Sequence, residues 1–178
     1  MKIVVCVTGG IAVYKCASLV SMLKNLGNEV QVIMTRHATE FVTPLTFQTL
    51  SKRKVITDMF DESNPEYVGH IEYGQKWDCI VVAPATANNI GKIANGIADD
   101  MVTSTIIAST IPVLFVPSMN TYMYENKLVQ MNIKKLKELG YYFVEPDSGM
   151  LACGVEGKGK FPKLDKIVNE INKMIDEK

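Results

Sequence analysis

The sequence predicts an α/β fold, a three-layer αβα sandwich around a parallel sheet of Rossmann-like or flavodoxin-like type. Strand-like runs alternate with helix-like runs along the chain, which is the pattern of successive βαβ units. Apolar residues make up 47% of the 178 positions, enough for one sizeable core and too few for two. We therefore expect residues 1–178 to form a single domain.

Five short apolar runs have the composition of strands. In chain order they are KIVVCVT, EVQVIMT, DCIVVAPA, IPVLFVPS and YYFVE. Such runs, bounded by turn residues and separated by helices, predict a parallel sheet.

Helices are predicted between and after these strands. The first begins near Ala12 and stops at Gly27, a short one lies near HATEFV, and another follows Pro44. Thr86 is expected to cap the helix TANNIGKIANG, because threonine is a favoured N-cap residue. The remaining predicted helices are DDMVTSTIIAST, VQMNIKKLKELG with Gly140 at its end, and LDKIVNEINKMI.

Charge and hydropathy exclude several classes of protein. The chain has 19 basic and 19 acidic residues, scattered rather than blocked, so it lacks the basic surface of a nucleic-acid-binding protein. No window approaches the roughly 20 apolar residues that a membrane span needs. The apolar start IVVCV is too short for a signal peptide. We expect a soluble, cytoplasmic protein.

Three of the four cysteines are expected to be buried thiols. Cys6 and Cys79 lie in strand-like runs and Cys16 lies in a helical one, where cysteine behaves as a small apolar residue. No cysteine and histidine pair has zinc-binding spacing, so no metal site is predicted.

The turn TGGIAVYK follows the first strand, as phosphate-binding turns do. A dinucleotide site would need the spacing G-x-G-x-x-G and an acidic residue at the end of the second strand. Here the second strand ends in Thr35, Arg36 and His37. A hydroxyl and a guanidinium suit a phosphate better than the ribose of NAD.

Three turns should meet at the carboxyl edge of the sheet, where open α/β folds bind ligands. They carry GGIA, Thr35 and TANN. Thr86, Asn88 and Asn89 supply uncharged polar groups that suit the edge of a polar ring. Gly9 and Gly10 could instead only form a tight turn, and Thr86 could only cap its helix.

Five motifs occur in order: TGGIAVYK, GHIEY, APATANNIGKIANGIADD, PSMNTYMY and LACGVEGKG. In these the chain resembles the flavin-dependent cysteine decarboxylases over nearly its whole length. The resemblance implies FMN as cofactor. It implies that the phosphate and ribityl chain are held by Gly9, Gly10, Ile11, Ala12 and Thr35, and that the isoalloxazine edge meets Thr86, Ala87, Asn88 and Asn89. NADP, with Arg36 on its extra phosphate, is a weaker alternative because the G-x-G-x-x-G spacing is absent.

The resemblance also implies the reaction. It is the decarboxylation of 4'-phosphopantothenoylcysteine to 4'-phosphopantetheine in coenzyme A biosynthesis, in which FMN first oxidises the thiol to a thioaldehyde that can accept the carbanion electrons. After CO2 leaves, the reduced flavin returns its hydride.

Three catalytic residues are carried over from the family. His70 in GHIEY is implied as a base, Asn120 in PSMNTYMY as the group that holds the carboxylate, and Cys153 in LACGVEGKG as the acid of the last step. Without the resemblance, His70 would be a surface residue after the loop-like DESNPEYVG, and Asn120 would be a helix cap. The implied substrate-binding residues are Ser118, Met119, Asn120, Ala152 and Lys160.

Cys153 lies in a glycine-dense stretch that shows neither strand nor helix periodicity. Its glycines predict a flap, and Lys158 and Lys160 nearby favour a thiolate or an anionic substrate. After the glycines the run KFPK departs from the family pattern, so Phe161 is given no role.

The resemblance implies a homotrimer or a multiple of trimers, in which His70 acts across a subunit contact. Many relatives are fused to a phosphopantothenate–cysteine ligase, which here would be either a separate partner or a part of the protein beyond residues 1–178. Three alternatives remain. They are a peptidyl-cysteine decarboxylase that stops at the enethiol, which Cys153 opposes; a flavin prenyltransferase-like protein; and a non-catalytic flavin-binding subunit.

Overall fold

The central sheet has five parallel strands. A computed structural model describes residues 1–60, 68–150, 154 and 156–177. The strands are β1 (Lys2–Val7), β2 (Glu29–Met34), β3 (Cys79–Ala85), β4 (Val113–Pro117) and β5 (Tyr142–Phe143). They lie in the order β2-β1-β3-β4-β5, and every neighbouring pair is parallel. The predicted parallel sheet is confirmed.

Helices cover both faces of this sheet. They are α1 (Val13–Asn25), α2 (Arg36–Thr39), α3 (Pro44–Ser51), α4 (Gly69–Gln75), α5 (Ala87–Ala94), α6 (Met101–Ile107), α7 (Thr121–Tyr124), α8 (Lys127–Glu138) and α9 (Leu164–Asp176). The alternation of strand side chains separates two cores. Ile3, Val5 and Val7 of β1 join the core that contains α1 and α9. Val4 and Cys6 join the core that contains α5, α6 and α8. The predicted three-layer sandwich follows from this division.

The predicted buried thiols are also confirmed. Cys6, Cys16 and Cys79 are buried and form no disulfide. Burial raises the pKa of the Cys6 thiol, and it raises that of Cys16 as well. Both therefore stay protonated and act as packing residues.

A helix was not expected at GHIEY, where the sequence predicted only the end of a loop. The helix α4 forms because it packs on α6 through two glycines. A Cβ at Gly74 would lie 2.9 Å from the carbonyl oxygen of Thr105, and one at Gly69 would lie 3.1 Å from Cε of Met101. This contact is tertiary, so local periodicity could not reveal it.

The glycine-dense stretch was expected to contain neither strand nor helix, and its flanks show that this prediction was wrong. Its flanks form two antiparallel strands, β6 (Asp147–Met150) and β7 (Glu156–Lys160), which we call the β6–β7 ribbon. A Cβ at Gly157 would lie 2.7 Å from Cγ2 of Thr121. Gly157 therefore marks a strand that lies close against another segment.

Candidate functional site

A cavity of about 950 Å³ opens at the carboxyl ends of the strands. It lies beside β1 and β3, where the strand order reverses, and this is the position at which flavodoxin-like sheets bind their ligand. Its size is at the upper end for pockets of small ligands and cofactors. It is lined by Thr8, Gly9, Gly10, Ile11, Ala12, Tyr14, Lys15, Thr35, His37, Thr86, Ala87, Asn88, Asn89, Lys92, Asp100, Ser118, Met119, Asn120, Met123, Met150, Gly159, Lys160 and Phe161.

The turns after β1 and β3 are joined by hydrogen bonds through Thr8. Its Oγ1 donates to the carbonyl oxygen of Pro84 at 2.6 Å and accepts from the backbone N–H of Thr86 at 3.2 Å. The two turns therefore form one surface of the cavity. The predicted cofactor residues of both turns lie on it.

The two glycines of the first turn differ in whether packing within the chain requires them. A Cβ at Gly9 would lie 2.9 Å from the backbone carbon of His37, so only glycine lets α2 approach the turn. A Cβ at Gly10 would meet only Cγ2 of Thr86, at an ordinary 3.6 Å. Gly9 is thus required by packing, whereas Gly10 borders the cavity without a steric requirement inside the protein.

The helix that follows this turn favours an anion at its start. The N-cap of α1 is Ala12, which makes no side-chain cap, and the first turn contains no acidic residue. The nearby hydroxyls of Thr35 and Thr86 cap their own helices, accepting from Ala38 N and Asn89 N at 3.3 Å each. The predicted capping by Thr86 is confirmed. The N–H groups of Val13 and Lys15 donate to the carbonyl oxygens of Gly10 and Ala12 at 3.0 Å each, so what the helix start offers a phosphate is mainly its positive dipole end.

Asn89 presents an unpartnered acceptor at the cavity. It is 2% exposed and lines the cavity, and its Oδ1 has no hydrogen-bond partner in the part of the chain that the structure describes. Leaving a buried amide oxygen unpaired is costly. A ligand with an N–H group on a polar ring would satisfy it.

Lys92 and Asp100, like Lys15, are charged residues of the cavity that were not singled out from the sequence. Lys92 donates to Asp99 at 2.7 Å, and its Nζ lies 3.5 Å from Oδ2 of Asp100. The hydrogen bond with Asp99 raises the pKa of Lys92, and the same bond lowers that of Asp99. The adjacent acids in GIADD, seven and eight residues after Lys92, were the sequence signal for this cluster.

The segment after β4 brings Ser118, Met119 and Asn120 to the cavity, as predicted. Oδ1 of Asn120 accepts the backbone N–H of Tyr122 at 2.8 Å, so the asparagine also caps α7. Met119 donates its N–H to the carbonyl oxygen of Gly159 at 3.0 Å. This bond docks β7 beside the cavity.

Residues of and next to the β6–β7 ribbon form the opposite wall. Lys160 lines the cavity as predicted, but Lys158 does not, because its Nζ lies 2.7 Å from Glu145. Phe161, which was given no role, is 4% exposed and lines the cavity, with Nζ of Lys15 6.0 Å from its ring centroid. The predicted residues Ala152 and Cys153 lie outside the described residues.

His70 lies apart from this cavity within one chain. It stands near the start of α4, is half-buried, and is not among the residues that line the pocket. Val68 and Ile71 on either side of it are 46% and 38% exposed. His37 does line the cavity, on the flank of the first turn.

The described residues contain neither a membrane-spanning helix nor a cluster of metal-binding side chains. Over residues 1–60, 68–150, 154 and 156–177, no helix has both the length and the apolar character for crossing a bilayer. The same residues contain no group of three or more histidine, cysteine and acidic side chains placed to hold a metal ion.

Comparison with known proteins matches residues 1–176 to the family model described as Flavoprotein. The chain belongs to the flavoprotein family. It is 52% identical over 167 residues to the coenzyme A biosynthesis bifunctional protein CoaBC of Bacillus subtilis, covering 94% of this chain and 41% of that protein. It is 42% identical over 176 residues to a probable phosphopantothenoylcysteine decarboxylase of Streptococcus mutans, covering 98% of both. The chain thus spans less than half of the CoaBC relative.

Solved structures of this flavoprotein family agree with the fold. A mutant PPC decarboxylase complexed with pantothenoylaminoethenethiol superposes with a TM-score of 0.87 at 28% identity, over 98% of both chains. The FMN-dependent cysteine decarboxylase SpaF gives 0.86 at 27% identity, over 99% of this chain and 96% of that one. The resemblance to flavin-dependent cysteine decarboxylases is confirmed.

Proposed function

We propose that this flavoprotein decarboxylates 4'-phosphopantothenoylcysteine to 4'-phosphopantetheine, with FMN as cofactor, in coenzyme A biosynthesis. The observation that carries the proposal is the cavity itself. Its location beside β1 and β3 and its unpartnered Asn89 oxygen suit a flavin, while Asn120 offers a neutral amide to a carboxylate on the same cavity. The end-to-end similarity to the S. mutans protein supports this substrate.

The residues present fit FMN. Gly9, Gly10, Ile11 and Ala12, with Thr35, would hold its phosphate and ribityl chain at the uncapped start of α1. Ala87 and Asn88, with Thr86 and Asn89, would border the ring, whose N–H would meet the unpartnered Oδ1 of Asn89. The chemistry that FMN supplies when bound is a reversible two-electron oxidation of the carbon that bears sulfur, which makes an electron sink for the departing CO2.

Asn120 would hold the substrate carboxylate. Because Oδ1 accepts the Tyr122 N–H, the carboxylate would meet the donating end of the amide, Nδ2. A neutral donor orients the carboxylate without stabilising its charge as strongly as an arginine would, and such stabilisation opposes loss of CO2. Ser118 and Met119 would form the adjoining wall.

The proton transfers fall to His70 and Cys153. His70 would take the thiol proton, since histidine exchanges protons near neutral pH. The role of Cys153 rests on the family motif LACG alone, which implies that its thiol donates the proton of the last step.

His70 can reach a cavity of this kind only from another subunit, because its own chain places it elsewhere. We therefore propose a homotrimer or a multiple of trimers, in which α4 of one protomer completes the pocket of its neighbour. Exposed apolar residues lie at both ends of this contact. Val68 and Ile71 flank His70, and Ile11 and Tyr14 at the cavity are 58% and 57% exposed.

We further propose that residues 1–178 act as one cytoplasmic domain whose substrate is supplied by a phosphopantothenate–cysteine ligase. The buried thiols, outside any disulfide, suit a reducing compartment.

A peptidyl-cysteine decarboxylase is the second candidate, because the peptidyl-cysteine decarboxylase EpiD superposes with a TM-score of 0.83, close to the 0.87 of PPC decarboxylase. The backbone does not separate the two activities, but the identities of 52% and 42% to coenzyme A enzymes favour the first. Purified protein supplied with FMN should turn yellow and convert 4'-phosphopantothenoylcysteine to 4'-phosphopantetheine. Release of CO2 only from a peptide ending in cysteine would establish the alternative.

Two variants test the roles in this reaction. Cys153→Ser should release CO2 but accumulate the enethiol intermediate, because the donor of the proton needed for the final reduction is absent. His70→Asn should barely start the reaction, because the base that takes the thiol proton is absent. Wild-type yield of 4'-phosphopantetheine from either variant would remove that residue from the mechanism.

A further inference from the structure

Glu145 connects three elements beside the cavity. Its Oε1 lies 3.1 Å from Nζ of Lys137 on α8, and its Oε2 lies 2.7 Å from Nζ of Lys158 on β7. The hydroxyl of Tyr124 on α7 donates to the same Oε2 at 3.3 Å. The hydrogen bond from Lys158, followed by that from Lys137, lowers the pKa of Glu145 to about 2. The carboxylate is therefore charged at neutral pH.

The strand that Glu145 anchors is a wall of the cavity. Gly159 and Lys160, the next two residues after Lys158, both line it. In the part of the chain that the structure describes, the β6–β7 ribbon is separate from the five-stranded sheet. A two-stranded ribbon is marginal by itself, so its position depends on contacts with the rest of the protein.

Besides the packing of Gly157 against Thr121, two polar contacts hold β7 in place. One is the Met119 N–H, which donates to the Gly159 carbonyl at 3.0 Å. The other is the carboxylate of Glu145, whose own backbone carbonyl accepts from Nζ of Lys166 on α9 at 2.7 Å. Glu145 is thus held from α9 while it holds β7.

We propose that Glu145 is a positioning residue, whose carboxylate fixes β7 so that Gly159 and Lys160 face the bound substrate. The identity of that substrate rests on the proposed function, but the anchoring of β7 does not. Glu145 does not line the cavity, so it acts through Lys158 and β7.

The test compares Glu145→Gln with a matched control. Glu138→Gln removes a carboxylate from α8 whose pair with Lys134, at 3.8 Å, is exposed and does not involve Glu145. The first measurement is hydrogen–deuterium exchange of residues 156–160 in the full-length protein. The second is the separate determination of KM and kcat for 4'-phosphopantothenoylcysteine.

We expect Glu145→Gln to speed exchange in β7 about fivefold and to raise KM about fivefold, with kcat changed less than twofold. A fivefold change corresponds to about 1 kcal/mol, the range of a partly exposed charge pair. Lys158→Gln should have the same effect, and the double variant should be no worse than either single one. Glu138→Gln should behave as the wild type.

The proposal is overturned if Glu145→Gln, like Glu138→Gln, leaves both the exchange rate of β7 and KM at their wild-type values. Equal increases in exchange and KM for Glu145→Gln and Glu138→Gln would also overturn it, since they would indicate a general effect of lost surface charge. If the wild-type protein does not decarboxylate the substrate, the exchange measurement still decides the anchoring, so the two failures are distinguishable.

Discussion

A pocket completed across a subunit contact should be restored by mixing two inactive variants. His70→Asn removes the base but leaves the cavity intact. Asn120→Asp keeps the cap of α7, because aspartate is as good an N-cap as asparagine, but repels the substrate carboxylate. Each variant alone should fall below about 1% of the wild-type kcat, since general bases contribute about 10²–10⁴-fold.

The expected recovery follows from the placement of His70 outside the cavity of its own chain. In a ring of three, each pocket pairs one protomer's Asn120 with the next protomer's His70. Any trimer that contains both variants has one contact where intact Asn120 meets intact His70. Mixed trimers should therefore recover about one third of the wild-type activity.

The assay is co-expression of the two variants with different affinity tags, followed by tandem purification and measurement of 4'-phosphopantetheine formed per flavin. The controls are each variant carried through the same two tags. Mixed trimers that stay at the level of the single variants would show that His70 and Asn120 act within one chain. That outcome would refute the intersubunit site.

Three further results are expected. Gly9→Ala should destabilise the protein by about 1–3 kcal/mol in urea unfolding, because its Cβ meets the His37 backbone. Gly10→Ala should keep the wild-type stability but weaken FMN binding measured by flavin fluorescence. Equal free energies of unfolding for the two variants would contradict the steric argument. Asn89→Leu should leave the flavin-free protein at least as stable, since it removes an unpaired buried oxygen, yet lose FMN affinity about tenfold or more; unchanged affinity would show that Asn89 does not contact the ring. As pH falls from 4.5 toward 2, the wild type should lose the stability contributed by Glu145, because its carboxyl takes up a proton more readily when unfolded. Glu145→Gln should lack that part of the acid transition, and an identical pH profile would contradict it.

The half of the site next to β1 and β3 could be predicted because its determinants are local. A strand that runs into Gly9 and Gly10, and a threonine that starts a helix after β3, are adjacent in sequence to the elements they end. Once the parallel sheet is predicted, the carboxyl ends of its strands must meet at one edge. The cavity confirms that placement for the predicted cofactor residues.

The opposite wall could not be predicted because it is built by tertiary contacts. Phe161 and Lys15 are far apart in the chain and meet only when β7 docks on the segment after β4. Glycine at 157 was interpreted as freedom to move, although the structure requires it for close approach to Thr121. Glycine has either meaning in a sequence, and only the neighbouring segment decides between them.

The two walls of the cavity, the turns after β1 and β3 and the opposite wall at β7, suggest how one fold serves several cysteine decarboxylases. PPC decarboxylase and SpaF match this chain equally well in backbone, with TM-scores of 0.87 and 0.86. The turns after β1 and β3 carry the predicted FMN-binding residues, so we do not expect them to select the substrate. We therefore expect substrate selection to lie in the wall formed by Met119, Gly159 and Lys160, where one hydrogen bond and the ion pairs of Glu145 hold β7. A small shift of β7 would change which thiol fits, while the cofactor surface stayed as it is.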